Sequence, residues 1–189
     1  MGGLGRRAAF IDRDGTINVR PAAHEYLTSE SAFRWLPGAA PGLARLAQAG
    51  YVLAVVSNQR GVARGLVSPA VLTAIEERIQ RDLAPYGCRI DAFRYCVHEE
   101  HDGCSCRKPK PGMLIDLADE LALDLRSSWM IGDAVSDVLA GRAAGCQTVL
   151  LRDDRLSEVD DGVSADLVAP TLDGASQLIA ERTNRFVCR

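Results

Sequence analysis

The chain has no hydrophobic run of membrane-spanning length, which excludes a helical span. It has no excess of basic charge. The net charge is -3 and the pI ≈ 5.6, so no general attraction to nucleic acid or to an anionic membrane is expected. It has no internal repeat and no low-complexity tract, which sets aside solenoids and disordered arrays. The first strand signal begins by about residue 8, which leaves no room for a signal peptide and predicts a cytoplasmic protein. In that compartment the six cysteines should be thiols, and metal binding outranks disulfides. What remains is an ordinary globular composition, 47% hydrophobic and 25% charged. Its 189 residues suit a single domain over 1–189 with a real core.

Strand and helix signals alternate. Residues 8–12 read as a strand and 42–49 as a helix ending at Gly50. Tyr51 to Val56 is a near-continuous apolar run, the mark of a strand buried on both faces. Ser68-Pro69 opens a helix to about Leu83, with proline at the first helical position. Phe93 to Val97 reads as a strand, Pro111 to Leu121 as a helix and 129–132 as a strand. Residues 135–144 follow as a helix and 148–151 as a strand, then a short edge strand at 166–168 and a helix at 173–182. The alternation predicts an α/β fold with a Rossmann-like, doubly wound parallel sheet.

In such sheets ligands bind at the carboxyl ends of the strands, and the polar motifs fall there. Asp12-Arg13-Asp14-Gly15-Thr16 follows the apolar Ala8-Ala9-Phe10-Ile11. Two carboxylates at i and i+2 of a strand share a face, and like charges so close call for a cation between them. Ser57-Asn58-Gln59 follows the second strand, Arg107-Lys108 the third strand and a loop, and Gly132-Asp133 the fourth. Taken singly, each has an ordinary reading as a turn, a cap or a solvated pair.

Together they assemble phosphoryl-transfer chemistry. Mg²⁺ prefers oxygen ligands, which Asp12, Asp133 and the backbone carbonyl of Asp14 can supply. Lys108 and the metal would offset the charge of a phosphoryl group, whose oxygens Ser57 can hold. Asp12 is then the nucleophile and Asp14 the acid/base. Asp137, four residues beyond Asp133, shares its helix face and could steer Lys108, or could simply favour the helix dipole.

A second pattern is Cys96-Val97-His98 followed by Cys104-Ser105-Cys106. Three thiolates and an imidazole suit tetrahedral Zn²⁺ with no position open for water, hence a structural site. The loop 96–106 would staple Arg107-Lys108 in place. His101 is the rival of His98 and reads as solvated. Cys88, Cys146 and Cys188 show no partner pattern.

In order, Asp-x-Asp-Gly-Thr, Ser57, Lys108 and Gly-Asp-x-x-x-Asp resemble the haloacid dehalogenase (HAD) superfamily of phosphatases. The resemblance implies the HAD fold, Mg²⁺ dependence and an aspartyl-phosphate route. The segments 16–57 and 57–108 are nearly filled by scaffold elements, so the protein is expected to be capless, with an open site. The zinc loop narrows the likeness. Asp12 to Asn18, Ser57-Asn58-Gln59-x-Gly61-x-Ala63-Arg64-Gly65 and Cys106 to Leu114 are similar to the D-glycero-D-manno-heptose 1,7-bisphosphate 7-phosphatase family. The related histidinol-phosphatase branch shares the zinc pattern but generally lacks Ala63-Arg64-Gly65 and Pro111 to Leu114.

The resemblance implies a phosphoric monoester hydrolase acting on a small sugar bisphosphate, with substrate contacts from three segments. They are Asn18, Val19, Arg20, Pro21, Ala22 and Ala23; Ser57, Asn58, Gln59 and Arg60; and Arg107 and Lys108. Arg20, Arg60, Arg64 or Arg107 could take the second phosphate, while His24 reads as a loop hydrogen-bonder. A monomer or weak homo-oligomer is expected. Val97 and Arg60 depart from the family pattern, which usually has proline and sometimes a small residue there. The competing readings are a histidinol-phosphate phosphatase, or other small-metabolite phosphatase, and a catalytically silent zinc-stabilised binding module.

Overall fold

A computed structural model describes residues 5–22, 25–152 and 163–187. Its centre is a six-stranded sheet of order β3-β2-β1-β4-β5-β6, and every described pairing is parallel. The strands are β1 (Ala8–Ile11), β2 (Val52–Asn58), β3 (Ala92–Cys96), β4 (Trp129–Gly132), β5 (Gln147–Leu151) and β6 (Leu167–Ala169). Helices α1 (Ala39–Gln48), α2 (Pro69–Leu83), α3 (Gly112–Leu121), α4 (Val135–Ala144) and α5 (Leu172–Val187) make the crossovers and cover the faces. The chain winds one way from β1 to β3 and the other way from β4 to β6. The crevice of this doubly wound sheet therefore opens where β1 meets β4.

Period-2 alternation splits the core in two. Ala9, Ile11, Leu53 and Val55 point to one side, against Leu43 and Leu46 of α1, Ile75 and Ile79 of α2 and Ile179 of α5. Ala8, Phe10, Val52, Ala54 and Val56 point to the other, against Met113, Leu114 and Leu117 of α3. Both sides being buried explains why β2 reads as a continuous apolar run. Close helix packing depends on Gly42. A Cβ there would lie 2.7 Å from the Leu172 carbonyl carbon, so α1 and α5 meet only because it is glycine.

Several boundaries differ from the sequence reading. β2 runs on through Ser57 and Asn58 because β3 pairs with them, Ser57 with Tyr95 and Asn58 with Cys96. These two residues thus lie in the strand rather than after it. α1 begins at Ala39, after Gly38 at φ 81, because proline at position 41 is tolerated in a first turn. α5 extends to Val187. Among the described residues, neither the β1–α1 nor the β2–α2 connection holds a further sheet or helix longer than a single 3-10 turn. Ala23, His24 and Cys188 lie outside the described residues.

Candidate active site

The site starts where β1 ends. The Asp12 N–H donates to the Ile131 carbonyl at 2.9 Å, which carries the ladder one residue past the strand. The chain then folds back. The Arg13 carbonyl accepts from the N–H groups of Ile17 at 2.8 Å and Asn18 at 3.1 Å. Gly15 sits at φ 91, and a Cβ there would collide with the Asp133 carboxylate. Glycine is thus required both by the left-handed turn and by the arrival of Asp133 from β4.

Lys108 lies at the centre, 4% exposed. Its ammonium is 2.8 Å from Asp12 Oδ1 and 2.6 Å from Asp137 Oδ1, and it donates to the Val56 carbonyl at 2.9 Å. Neither carboxylate oxygen has another partner. Asn58 fixes the lysine backbone from both sides: its Nδ2 donates to the Lys108 carbonyl at 3.0 Å and its Oδ1 accepts the Lys108 N–H at 3.1 Å. Burial alone would lower the lysine pKa, but the two carboxylates outweigh it and raise it. Asp137 is pushed up to about 6, first by burial and then by repulsion from Asp12, against the pull of Lys108. Its other oxygen accepts the Ala134 N–H at 3.0 Å. Steering Lys108 and capping the helix are therefore done by one carboxylate. Asp133 is also raised, chiefly by burial.

Asp14 departs from the expectation that it and Asp12 flank a common cation. Its side chain turns inward and is saturated by donors. Arg13 reaches it through Nε and Nη2 at 3.2, 3.1 and 2.8 Å, Asn18 Nδ2 at 2.9 Å and Gln59 Nε2 at 2.8 Å. Burial would raise the Asp14 pKa, but the Arg13 guanidinium and these donors hold it below the usual carboxylate range. Arg13 is 1% exposed and packs 5.9 Å from the Tyr95 ring. The carboxylates gathered tightly enough to share a cation are Asp12, Asp133 and Asp137, with oxygens within 4.8 Å of one another.

A cleft of about 290 Å³ opens above these groups. Asp12, Asp14 and Lys108 line it, together with Arg20, Pro21 and Ala22 of the first substrate segment and Ser57 to Arg60 and Arg107. Two predicted contacts, Asn18 and Val19, lie elsewhere. Asn18 is 0% exposed, with its amide used on Asp14 and the Val19 carbonyl, so it supports the site from behind. Val19 is exposed, and its N–H pairs with the Arg34 carbonyl rather than facing the cleft. Ala23 is among the residues not described.

The cations are already engaged. Arg20 is 2.6 Å from Asp133, Arg60 and Arg107 share Glu100 at 3.7 and 3.3 Å, and Arg64 pairs with Glu99 outside the cleft lining. Tyr26 and Ser136, also in the lining, were missed by the sequence reading. Ser136 could have been found from its place between Asp133 and Asp137, whereas Tyr26 lies in a loop with no signal. Gln59 lines the cleft as expected, and there it donates to Asp14 and, at 3.1 Å, to the Ser57 hydroxyl.

Cys96, His98, Cys104 and Cys106 converge, with ligand atoms within 4.8 Å of one another. Cys96 Sγ is 3.7 Å from both His98 Nδ1 and Cys104 Sγ, and Cys106 Sγ is 3.2 Å from His98 Nδ1. A tetrahedron with metal–sulfur bonds of 2.3 Å has edges of about 3.8 Å, so the cluster suits one central ion. None of these thiols is in a disulfide. Burial and the neighbouring thiols push Cys106 up to about 12, and a bound cation would reverse that. His101 is 84% exposed beside Asp102 and stays out of the cluster. Arg107 Nη1 donates to the His98 carbonyl at 3.4 Å, which ties the loop to the cleft wall.

A parallel sheet with a lysine buried between two carboxylates at its carboxyl edge defines a HAD-like hydrolase. Residues 105–175 match the family model described as "HAD-hyrolase-like". The chain is 39% identical over 149 residues to the D-glycero-beta-D-manno-heptose-1,7-bisphosphate 7-phosphatase of Pseudomonas aeruginosa, covering 79% of this chain and 83% of that one. It is 36% identical over 181 residues to the enzyme of the same name from Pasteurella multocida, covering 92% and 97%. It also superimposes on a crystal structure of D,D-heptose 1,7-bisphosphate phosphatase from B. bronchiseptica complexed with magnesium and phosphate. That match has a TM-score of 0.85 and 34% identity, and covers 93% of this chain and 99% of that one. The chain belongs to the D-glycero-beta-D-manno-heptose-1,7-bisphosphate 7-phosphatase family, and is a phosphoric monoester hydrolase.

Proposed function

We propose that this protein is a Mg²⁺-dependent phosphatase that removes the 7-phosphate of D-glycero-D-manno-heptose 1,7-bisphosphate, in nucleotide-activated heptose biosynthesis. The observation that carries the reaction type is the triad Asp12–Lys108–Asp137, buried at the floor of an open cleft. Lys108 holds one Asp12 oxygen and leaves the other to attack phosphorus. The phosphorus–oxygen bond to the sugar breaks, and Asp14 gives its proton to the leaving alkoxide. Asp14 then takes a proton from water as that water attacks the aspartyl-phosphate, releasing phosphate and restoring Asp12.

Asp14 starts ionised in the grip of Arg13, Asn18 and Gln59. A phosphate dianion seated beside it raises its proton affinity, so it takes up from solvent, through the open cleft, the proton that it then gives to the leaving alkoxide. Lys108, the Ser57 hydroxyl and nearby backbone N–H groups would hold the phosphoryl oxygens. Asp12, Asp133 and the Asp14 carbonyl would hold Mg²⁺, with Asp137 in the same cluster, and the ion supplies positive charge against those oxygens when bound. Arg20 lies on Asp133 and would be released toward the cleft as Asp133 takes up the ion. Arg60 and Arg107 stand where a second phosphate of the sugar would displace Glu100.

Cys96, His98, Cys104 and Cys106 would hold a structural Zn²⁺ that fixes the Arg107-Lys108 loop. A reducing cytoplasm suits four unbridged ligands of this kind. The whole of 1–189 is read as one catalytic domain, a monomer or weak homo-oligomer. Among the described residues no helix is long and apolar enough to cross a membrane.

The test is a side-by-side assay with Mg²⁺ against heptose 1,7-bisphosphate and histidinol phosphate. The bisphosphate should be preferred in kcat/KM, with the 1-phosphate left in place. Preference for histidinol phosphate, whose amine the cleft arginines would repel, would overturn the substrate assignment.

A further inference from the structure

We infer that a cavity at the amino ends of β1, β4 and β5 is a second binding site, for a small phosphorylated aromatic anion of nucleotide size. Its volume is about 640 Å³, larger than the catalytic cleft, and it lies at the opposite edge of the sheet. The two sites are separated by the length of the strands, on the order of 15 Å.

Four arginines line this cavity: Arg6, Arg7, Arg126 and Arg182. Many of the other arginines pair with carboxylates, as in Arg45–Asp173, Arg78–Asp82, Arg81–Glu30 and Arg94–Glu120, while Arg34 and Arg142 donate to uncharged oxygens. Among the described residues these four have no carboxylate at ion-pair distance. Asp124, next to Arg126 in the fold, is bonded mainly within its own turn, and Arg126 is one of the weaker influences on its charge. Its oxygens accept from the Ser127 hydroxyl at 2.5 Å and the Arg126 N–H at 3.0 Å, which caps a turn. A chain of net charge -3 thus gathers four arginines, with Asp124 as a partial counter-charge to one of them, in one concavity.

Two of these cations are held in place before any ligand arrives. The Arg7 guanidinium lies 4.4 Å over the Tyr51 ring and donates to the Ala49 carbonyl, and Arg182 lies 5.7 Å over Trp129. Tyr51 is itself tied to Thr183 of α5 by a 2.9 Å hydroxyl contact. Guanidinium groups fixed in this way lose little freedom on binding and present planar forks to phosphate oxygens. An arginine stacked on one aromatic face keeps its second face open to another π-system, which suits a base beside the phosphates. The volume falls in the range of small-ligand sites and exceeds what inorganic phosphate would fill. A nucleic-acid strand would need a basic stripe continuing beyond the cavity, which the net negative charge opposes.

The test is calorimetric titration of the full-length protein at low salt with ADP, pyrophosphate, inorganic phosphate, adenosine, a single-stranded oligonucleotide and anionic lipid vesicles. It is run on the wild type and on the Arg126→Ala and Arg182→Ala variants. Both substitutions lie outside the catalytic cleft, so retained phosphatase activity verifies folding. ADP should bind more tightly than pyrophosphate or phosphate, adenosine should not bind, and each variant should weaken ADP at least tenfold. ADP binding that is absent, or unchanged in both variants, would overturn the inference. So would tighter binding of an oligonucleotide or of anionic vesicles than of ADP.

Discussion

Replacing Arg13 with methionine keeps a buried stem of similar length and removes the guanidinium that grips Asp14. Arg13 reaches Asp14 at 3.2, 3.1 and 2.8 Å, and what remains is Asn18 at 2.9 Å and Gln59 at 2.8 Å. Hydrogen bonds to a charged group contribute about 1.5–3 kcal/mol. The Asp14 side chain is 21% exposed and keeps two donors, so a positioning loss near 3 kcal/mol, about 100-fold in rate, is the expected size. The loss should depend on the leaving group. A sugar alkoxide needs the proton that Asp14 delivers, whereas p-nitrophenolate departs without it.

The assay is kcat/KM for a sugar phosphate and for p-nitrophenyl phosphate, which reports the first irreversible step on each. Arg13→Met should lose about 100-fold on the first and less than about fivefold on the second. Equal losses on both would show that Arg13 serves the fold alone. No loss, or a gain, would show that its grip on Asp14 does not matter to the reaction.

The Asp137 pKa of about 6 lies above the ordinary 3.8, so the native state of metal-stripped protein takes up a proton that the unfolded chain does not. Stability from this group should therefore rise as pH falls from 7 toward 5, and be lost again as pH climbs through 6. Thermal unfolding across that window should show the trend, and Asp137→Asn should flatten it. Cys104→Ser should release zinc by elemental analysis, lower the Tm and reduce activity, although Cys104 stands outside the cleft lining; a full zinc complement in the variant would contradict the four-ligand reading. Gly42→Ala places a Cβ 2.7 Å from the Leu172 backbone, and should cost about 1–2 kcal/mol in denaturant unfolding while sparing kcat.

Much of the site was legible because its chemistry is carried by short local motifs. Asp12, Ser57 and Asp133 each announce themselves at the end of a strand signal and Lys108 after the loop that follows one, while Cys96 to Cys106 spans only the end of β3 and that loop. What was not legible depends on residues distant in sequence. The inward turn of Asp14 requires Arg13 to be buried beside Tyr95 of β3, and no local pattern reports that. Ser57 and Asn58 lie in β2 only because Tyr95 and Cys96 pair with them. The engagement of Arg60 and Arg107 by Glu100, and of Arg20 by Asp133, likewise follows from how loops meet. The alternation of strands and helices was clear, but the pairing of β1 with β4 is a choice of the folded sheet that spacing does not encode.

The central claim is that Asp12 becomes phosphorylated. The most direct measurement is an acid quench of the enzyme during turnover, borohydride reduction of any acyl phosphate, and mass spectrometry of the peptide spanning Asp12. The Asp12 carboxyl group should be converted to a primary alcohol, only when substrate is present and never in Asp12→Asn. An unmodified Asp12 peptide alongside reduction at another carboxylate would contradict that claim.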